Sequence, residues 1–236
     1  NSYPGEPVTD DADEFLQMDL DAVLLATFSP DHADDAIRCL DAGKHVLSET
    51  ASYHTMGEGV RLFEAVEKNG LVYNLAENYP WCKANMYLAE RWRENLFGAF
   101  QYGEYEYVHN CRMLAYAPGR NPGWCVHYWR TWIPFHFYNS HSLGPVMHIA
   151  NLRPKRVSAL PGRVMLPGLP PPPGLETSIA GVSPSLLEFE NGGLMRNLMG
   201  TTSMDCSARR IWGTHGAARL ITHDRLAMRF GNQKEV

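Results

Sequence analysis

The stretch between Leu20 and Asn78 constrains the fold of this chain more than any other segment. It holds three short apolar runs, at 21–26, 44–49 and 71–76, which are separated by two segments with helical periodicity. Short apolar runs of this kind indicate buried strands, and strands that alternate with helices favour right-handed crossovers in a parallel sheet. The stretch therefore predicts a β-α-β-α-β unit whose strands are buried on both faces.

Local signals predict where the two helices of this unit begin and end. Residues 29–31 offer an N-cap for the first helix, which we expect over 31–42. Thr55 and Glu58 have the spacing of a capping box for the second helix, and Gly70 stands where that helix should end. Each strand then ends in a loop at one common edge of the sheet.

The loops at that edge carry the candidate cofactor site. In open α/β sheets, ligands bind outside the carboxyl ends of the strands, so three consecutive loops there are expected to form one site. The candidate cofactor-binding residues in them are Thr27, Phe28, Ser29, Pro30, His32, Glu49, Thr50 and Asn78. We expect His32 to brace its loop through hydrogen bonds rather than to react. Glu49 is expected to contact cofactor or substrate.

The same loops lie within a pattern that resembles a known family. The pattern runs Asp-Ala-Val, Thr-x-x-Pro-x-His, then Ala-Gly-Lys-His-Val and Glu, and it stands here at 21–32 and 42–49. It is similar to the second half of the dinucleotide domain of the Gfo/Idh/MocA oxidoreductases. This resemblance implies a partial Rossmann fold and oxidation of a sugar or sugar-like hydroxyl. It also implies NAD or NADP as the cofactor, with NAD favoured.

One departure from the family pattern bears on mechanism. Most members place Lys-Pro after the Glu, and that lysine is implicated in catalysis, whereas this chain reads Glu49-Thr50-Ala51. The NAD-dependent α-N-acetylgalactosaminidases also lack the lysine, and Glu77-Asn78 resembles their pattern after the next strand. The resemblance thus implies an alternative, redox-neutral glycoside cleavage by oxidation, elimination, hydration and re-reduction. A non-catalytic cofactor-binding protein is a third hypothesis.

The pattern changes beyond Pro80. Helices are expected over 82–95 and 140–149, and the strand at 99–108 alternates aromatic with polar residues. Residues 191–193 read Asn-Gly-Gly between apolar stretches, which predicts a hairpin, and further downstream the sequence suggests a second one. This part of the chain therefore predicts a mostly antiparallel sheet with a helix against one face.

These two patterns predict two domains. Residues 1–79 are expected to form the second half of a dinucleotide-binding Rossmann domain, an α/β fold with a parallel, doubly wound sheet. Residues 80–236 are expected to form an α+β substrate domain. The Gly-x-Gly-x-x-Gly turn of a first βαβ unit is not found in the sequence. We therefore expect a first βαβ unit to precede this segment.

Histidines and tyrosines of the second domain are the catalytic candidates. Residues 107–109 end a predicted strand and residues 138–141 start a predicted helix, and both resemble substrate-site motifs of the galactosaminidases. The resemblance implies three catalytic residues, His141, His109 and Tyr138, and two substrate-binding residues, Tyr107 and Arg130. An imidazole suits acid–base work because it titrates near ~6.5 when unperturbed. For His109 and His141, the alternative is a structural role as a buried, hydrogen-bonded histidine.

Composition and charge weigh against several classes of partner. The net charge is −5 and no basic arm is present, so neither nucleic acid nor an anionic membrane is expected as a partner. No apolar run approaches the ~20 residues of a membrane span. The expected partner is a small-molecule sugar or glycoside, together with a possible homo-oligomer through the C-terminal sheet.

Cysteines and histidines give no sign of a metal or disulfide framework. Five cysteines are an odd number and form no Cys-x-x-Cys pair, so a reducing cytoplasm is the expected location. His141 and His148 lie seven apart, yet no His-x-x-x-His or Glu-x-x-His pair occurs. We therefore expect no metal site.

Overall fold

A computed structural model of the protein describes residues 8–110, 135–164, 181–202, 204–205 and 207–231. The chain forms two compact units, residues 1–76 and 77–236. The sequence predicts a domain boundary after Tyr79, and the assignment of the two domains stays a prediction. Residues 77–79, which follow the third strand, belong to the second unit.

The first unit contains the predicted parallel sheet. Its elements are α1 (Ala12–Gln17), β1 (Ala22–Leu25), a 3₁₀ turn (Ser29–Asp31), α2 (His32–Asp41), β2 (His45–Ser48), α3 (Met56–Asn69) and β3 (Tyr73–Leu75). The strands lie in the order β1-β2-β3, and both neighbouring pairs are parallel. The β-α-β-α-β unit is therefore confirmed. Helix α1 has no counterpart in the sequence prediction, although Asp11 caps it through its carboxylate.

The helix ends follow the predicted signals with one exception. Thr55 and Glu58 form the capping box of α3, and Gly70 ends the helix with a left-handed φ of 63°. Helix α2 has its N-cap at Asp31, but no side chain makes a capping hydrogen bond there. The Ser29 hydroxyl is instead buried, without a hydrogen-bond partner among the residues that the structure describes.

The prediction that these strands are buried on both faces is wrong. Val23, Leu25 and Val46 are buried against the apolar faces of α2 and α3. On the other face of the sheet Leu24 is 68% exposed and Leu47 37% exposed. The reason is topological: two successive right-handed crossovers that step in the same direction place both helices on the same side of the sheet.

In its described residues, the second unit contains a larger mixed sheet and two α-helices. Its elements are a 3₁₀ turn (Tyr79–Trp81), α4 (Lys83–Arg93), β4 (Phe100–His109), a 3₁₀ turn (Phe135–Tyr138), α5 (Ser140–Ala150), β5 (Pro154–Ala159), β6 (Ser183–Phe189), β7 (Leu194–Thr201), β8 (Arg209–Gly213), β9 (Gly216–Leu220) and β10 (Leu226–Phe230). The strand order is β10-β9-β8-β4-β7-β6-β5.

Most neighbours in this sheet are antiparallel, as predicted. The exception is β4 beside β7, which is parallel. The hairpins β6–β7 and β8–β9 confirm the two predicted turns, whereas β10 has no counterpart in the sequence prediction. Among the described helices, none has both the length and the apolar character that crossing a membrane requires.

One face of the sheet packs against α4 and α5. Leu88 and Trp92 from α4 join Val146 and Ile149 from α5 in a core with side chains of the strands. The sequence pattern places Met86 on the buried face of α4, but 43% of Met86 is exposed. The residues that α4 buries are 84, 85, 88, 89 and 92, which share one face of the helix, so position 86 falls on the neighbouring face.

Candidate active site

A buried histidine–carboxylate pair lies at the start of α5. The side chains of His141 and Glu77 are 8% and 9% exposed, and His141 Nδ1 lies 2.8 Å from each Glu77 oxygen. The backbone N–H of Tyr79 also donates to Glu77 Oε1, at 3.0 Å. Burial raises the pKa of Glu77, but the hydrogen bond and charge of His141 outweigh it and lower that pKa overall. Glu77 is therefore an ionised acceptor for the Nδ1–H of His141.

Three tyrosine rings surround this imidazole. The centroids of Tyr79, Tyr107 and Tyr138 lie 4.6, 4.7 and 4.4 Å from that of His141. Aromatic walls keep water away, and the lower local dielectric strengthens the bond to Glu77. With Nδ1 engaged as a donor, Nε2 of the neutral ring carries the free lone pair. The arrangement makes His141 chemically competent as a general base.

A buried hydrogen-bond network anchors the same helix end to the sheet. Ser142 donates its hydroxyl to Asn197 Oδ1 on β7, and Asn197 Nδ2 donates to Ser185 Oγ at 3.1 Å. Asn197 and Ser142 are fully buried. Asn85 on α4 donates to the Tyr79 carbonyl at 2.8 Å. These hydrogen bonds hold the backbone segments that carry His141 and Tyr79.

His109, at the end of β4, forms a second and more exposed pair. Its Nδ1 lies 2.8 Å from Asp205 Oδ1, and its side chain is 38% exposed. The backbone N–H of Asn110 lowers the pKa of Asp205 most, and the bond with His109 lowers it further. The Tyr107 ring contacts both imidazoles, with centroid distances of 5.7 Å to His109 and 4.7 Å to His141. The structure thus brings together four of the five residues that the galactosaminidase motifs suggested.

The fifth of these residues, Arg130, lies outside the described residues, so its role stays a prediction. Asn78 is exposed in the second unit, and its backbone carbonyl accepts from the Trp81 N–H at 3.2 Å. The other cofactor candidates stand in the first unit. A single site made of all three loops therefore also stays a prediction.

His32 links two loops of the first unit. Its Nδ1 lies 2.9 Å from the Ala51 carbonyl and its Nε2 lies 3.1 Å from the Thr27 carbonyl. The ring is buried. The ring nitrogen that carries a proton donates to the carbonyl beside it, and the contact through Nδ1 is the one that joins the loop after β1 to the loop after β2. The bracing role of His32 stays a prediction.

The other loop residues of the first unit offer contacts that suit a dinucleotide. The buried Ser29 hydroxyl has no hydrogen-bond partner among the described residues, and 43% of the neighbouring Phe28 is exposed. Thr27 Oγ1 donates to Asp35 at 2.7 Å, Glu49 is exposed and Thr50 is buried. A buried hydroxyl without a partner is uncommon in proteins. Its position beside an exposed aromatic ring, at the carboxyl end of a parallel strand, fits the ribose and ring groups of a nicotinamide dinucleotide.

Sequence reasoning missed several members of the site. It noted Glu77 as part of a Glu-Asn motif but did not assign it a role, although its place directly after β3 was a usable signal. Tyr79, two residues after Glu77, was also given no role. Asp205 carries no sequence signal, because its bond with His109 joins positions 96 apart. Among the described residues, no group of three or more histidines, cysteines or carboxylates is arranged to hold a metal ion.

Comparison with known proteins supports this description from the sequence side. Residues 1–77 match the sequence model of an oxidoreductase family with an NAD-binding Rossmann fold, GFO_IDH_MocA. The α-N-acetylgalactosaminidase of Shewanella oneidensis is 28% identical over 134 residues, 57% of this chain and 29% of that protein. A glycosyl hydrolase family 109 protein of Shewanella pealeana matches at the same identity and coverage. The matched region is thus less than a third of these curated relatives.

Solved structures share the fold over nearly the whole chain. Levoglucosan dehydrogenase, in complex with NADH and levoglucosan, has a TM-score of 0.76 at 19% identity, covering 96% of this chain and 61% of that one. An inositol dehydrogenase homolog from Azotobacter vinelandii, in complex with NADH and myo-inositol, has a TM-score of 0.75 at 15% identity. It covers 95% of this chain and 58% of that one. At these identities the likeness shows the fold, a partial Rossmann unit followed by an α+β unit.

Proposed function

We propose that the protein oxidises a hydroxyl group of a sugar with a nicotinamide cofactor, because its residues 1–77 match the sequence model of the Gfo/Idh/MocA oxidoreductases. The buried pair of His141 and Glu77, enclosed by tyrosine rings, supports this proposal most. Oxidation of an alcohol needs a base that takes the hydroxyl proton while hydride leaves the same carbon. His141 Nε2 has the required lone pair and a buried carboxylate behind it.

The protein residues would carry the proton half of this reaction. The substrate hydroxyl donates to His141 Nε2, which accepts the proton as the carbon–oxygen double bond forms. Glu77 stabilises the resulting imidazolium, since its carboxylate already receives the Nδ1–H. When bound, the nicotinamide supplies the carbon that accepts the hydride. Tyr107 and Tyr138 line the site as rings against which a sugar packs.

The first unit would hold the cofactor through the loops after its strands. We propose that the Ser29 hydroxyl, Glu49 and Thr50 contact it, and that His32 positions these loops. The cofactor we favour is NAD. Asn78 and Arg130 complete the proposed contacts, to cofactor and substrate respectively. His109, more exposed than His141 and paired with Asp205, is the proposed acid that exchanges protons with solvent.

The proposal is tested by incubating the enzyme with NAD⁺ and a panel of sugars and measuring the absorbance of the reduced nicotinamide. We expect turnover with at least one sugar and its loss in His141→Asn. His148→Asn is the matched control, because His148 lies on the same helix and contacts Trp81 rather than the site. Equal turnover in the wild type and His141→Asn would contradict the assignment of the base.

Redox-neutral glycoside cleavage is the second candidate function. The similarity to the Shewanella oneidensis α-N-acetylgalactosaminidase favours it, as does Glu49-Thr50-Ala51 in place of the common lysine. A ketone formed by the same oxidation acidifies the C–H of the neighbouring carbon. Loss of that proton eliminates the glycosidic bond on the next carbon, water then adds to the resulting double bond, and the hydride returns to the ketone. Release of the leaving group without accumulation of reduced cofactor would distinguish this activity from net oxidation.

Oligomeric state is a separate proposal. The face of the sheet opposite α4 and α5 carries the half-exposed side chains of Leu186 and Leu194, and we propose that it pairs with a second copy of the chain. Analytical ultracentrifugation would decide between a monomer and a dimer.

A further inference from the structure

Arg209, the first residue of β8, is a cation for which the described residues provide no carboxylate. Its guanidinium carbon lies 5.0 Å from the centre of the Tyr79 ring, and its Nη1 lies 3.4 Å from His223 Nδ1. Its Nε is buried without a hydrogen-bond partner in the part of the chain that the structure describes. This side chain is therefore incompletely satisfied at a position close to the candidate active site.

The contact with the Tyr79 ring does not account for the whole guanidinium. A cation–π contact uses the face of the group, whereas its five N–H donors lie in the plane. The acceptors next to it are His223 Nδ1 and the Tyr79 hydroxyl. Burial raises the pKa of Tyr79 overall, and the charge and hydrogen bond of Arg209 offset only part of that rise. Neither acceptor carries a negative charge, so neither compensates the positive charge of Arg209. Buried donors without partners carry a free-energy cost that a ligand can remove.

The nearby carboxylates have other partners. Those of Glu77, Asp205 and Asp224 are bound by His141, His109 and Thr222, respectively. Within the described part of the chain, Arg209 thus lies beside an imidazole and a phenol, and these three carboxylates have other partners. The planar, charged guanidinium can donate two parallel hydrogen bonds to the oxygens of a carboxylate or a phosphate.

Tyr79 connects this cation to the base. The same ring that lies below Arg209 has its centroid 4.6 Å from that of His141. One tyrosine ring thus separates the atom that takes the proton from the group that would hold an anion. A single sugar residue is of comparable size, so its reacting hydroxyl and a charged substituent can reach the two groups at once.

We propose that Arg209, assisted by His223, binds an anionic substituent of the sugar substrate, a carboxylate or a phosphate. This inference rests on the proposed oxidation at His141, whose substrate class it specifies. A neutral sugar would leave the half-buried guanidinium without a counter-charge, and it would therefore bind more weakly than its acidic counterpart.

The test compares glucuronate and glucose 6-phosphate with glucose, in the wild type and in Arg209→Gln and Arg209→Lys. We expect kcat/KM for one of the two anions to exceed that for glucose by roughly 10- to 100-fold. Arg209→Gln should abolish this preference, so that the ratio of kcat/KM for the anion to kcat/KM for glucose falls to about 1, and Arg209→Lys should retain part of it. Arg225→Gln is the matched control, because Arg225 is an exposed arginine in the turn next to His223.

A preference for glucuronate would identify the bound substituent as a carboxylate, and a preference for glucose 6-phosphate would identify it as a phosphate. If glucose is oxidised as well as both anions and Arg209→Gln changes nothing, the inference is wrong while the proposed oxidation stands. If no sugar is oxidised, calorimetry with the same compounds decides: binding of an anion that Arg209→Gln weakens supports the anion site although the proposed function fails. Absence of such binding overturns the inference. Melting temperatures show whether a variant has lost its fold. If Arg209→Gln is unfolded, the comparison is made with Arg209→Lys.

Discussion

Replacing Glu77 with glutamine tests whether its carboxylate sets the protonation pattern of His141. Both Glu77 oxygens lie 2.8 Å from His141 Nδ1, and Oε1 also accepts the Tyr79 backbone N–H. In Glu77→Gln the amide oxygen is expected to keep the bond from Tyr79, since that N–H can act solely as a donor. The amide NH₂ then faces Nδ1, which must become an acceptor, so the proton of the neutral ring moves to Nε2.

This change of tautomer removes the lone pair that the proposed base needs. General bases contribute ~10²–10⁴-fold to rate, so we expect turnover to fall by about that factor. The variant also exchanges a buried charge-assisted hydrogen bond for a neutral one, which should cost about 1–1.5 kcal/mol of folding free energy. The side chain keeps its shape, so the cavity and the aromatic contacts should persist.

The stability difference should depend on pH in a defined direction. The pKa of Glu77 is lowered from its ordinary value of 4.5 by the folded structure. Its stabilising contribution is thus present above that value and is lost as the pH falls through the lower folded pKa. The gap in unfolding free energy between wild type and Glu77→Gln should therefore close as the pH falls through the lowered pKa of Glu77.

Three measurements check this reasoning. Turnover is measured with the sugar that the panel identifies, the His141 tautomer by ¹⁵N chemical shifts, and stability by denaturant titration across pH. Glu90→Gln serves as the matched control, because Glu90 is an exposed carboxylate on α4. A Glu77→Gln enzyme with wild-type turnover and a proton still on Nδ1 would refute the proposed role of Glu77.

Three further changes probe other parts of the site. His141→Asn should lower turnover by ~10²–10⁴-fold with melting temperature and cofactor affinity nearly unchanged; a variant that simply unfolds would show a structural role. Asn78→Ala should weaken cofactor binding in calorimetry by about 1–3 kcal/mol without unfolding, and an unchanged Kd with unchanged activity would discard that assignment. Asn197→Ala leaves the buried Ser142 hydroxyl without its amide partner, so denaturant titration should show a loss of about 1–3 kcal/mol. Wild-type stability of Asn197→Ala would mean that the network does not anchor α5.

Much of the fold followed from local sequence signals. The capping box at Thr55 and Glu58, the left-handed Gly70 and the Asn-Gly-Gly turn each act within a few residues, so the neighbouring sequence contains the information that they need. The failures were of another kind. Leu24 is apolar and lies in an apolar run, yet it is exposed, because sheet topology decides which face the helices cover.

In the candidate site, too, some residues followed from the sequence and others only from the tertiary structure. Motifs in the sequence pointed to His141, His109, Tyr107 and Tyr138, and the structure places their rings in one cluster. Their partners did not follow from any pattern, since Glu77 lies 64 positions from His141 and Asp205 lies 96 from His109.

The sequence by itself thus predicted most of the order of strands and helices and suggested candidate reactive side chains, because backbone propensity, capping and turn chemistry are short-range. Within the described residues, the tertiary structure decided which carboxylate contacts which imidazole, which buried hydroxyl has no hydrogen-bond partner and where Arg209 has no carboxylate beside it. Those properties depend on burial and on distances between residues far apart in the chain. A hydrogen bond or a desolvation cost exists once packing has brought the groups together and removed the water between them.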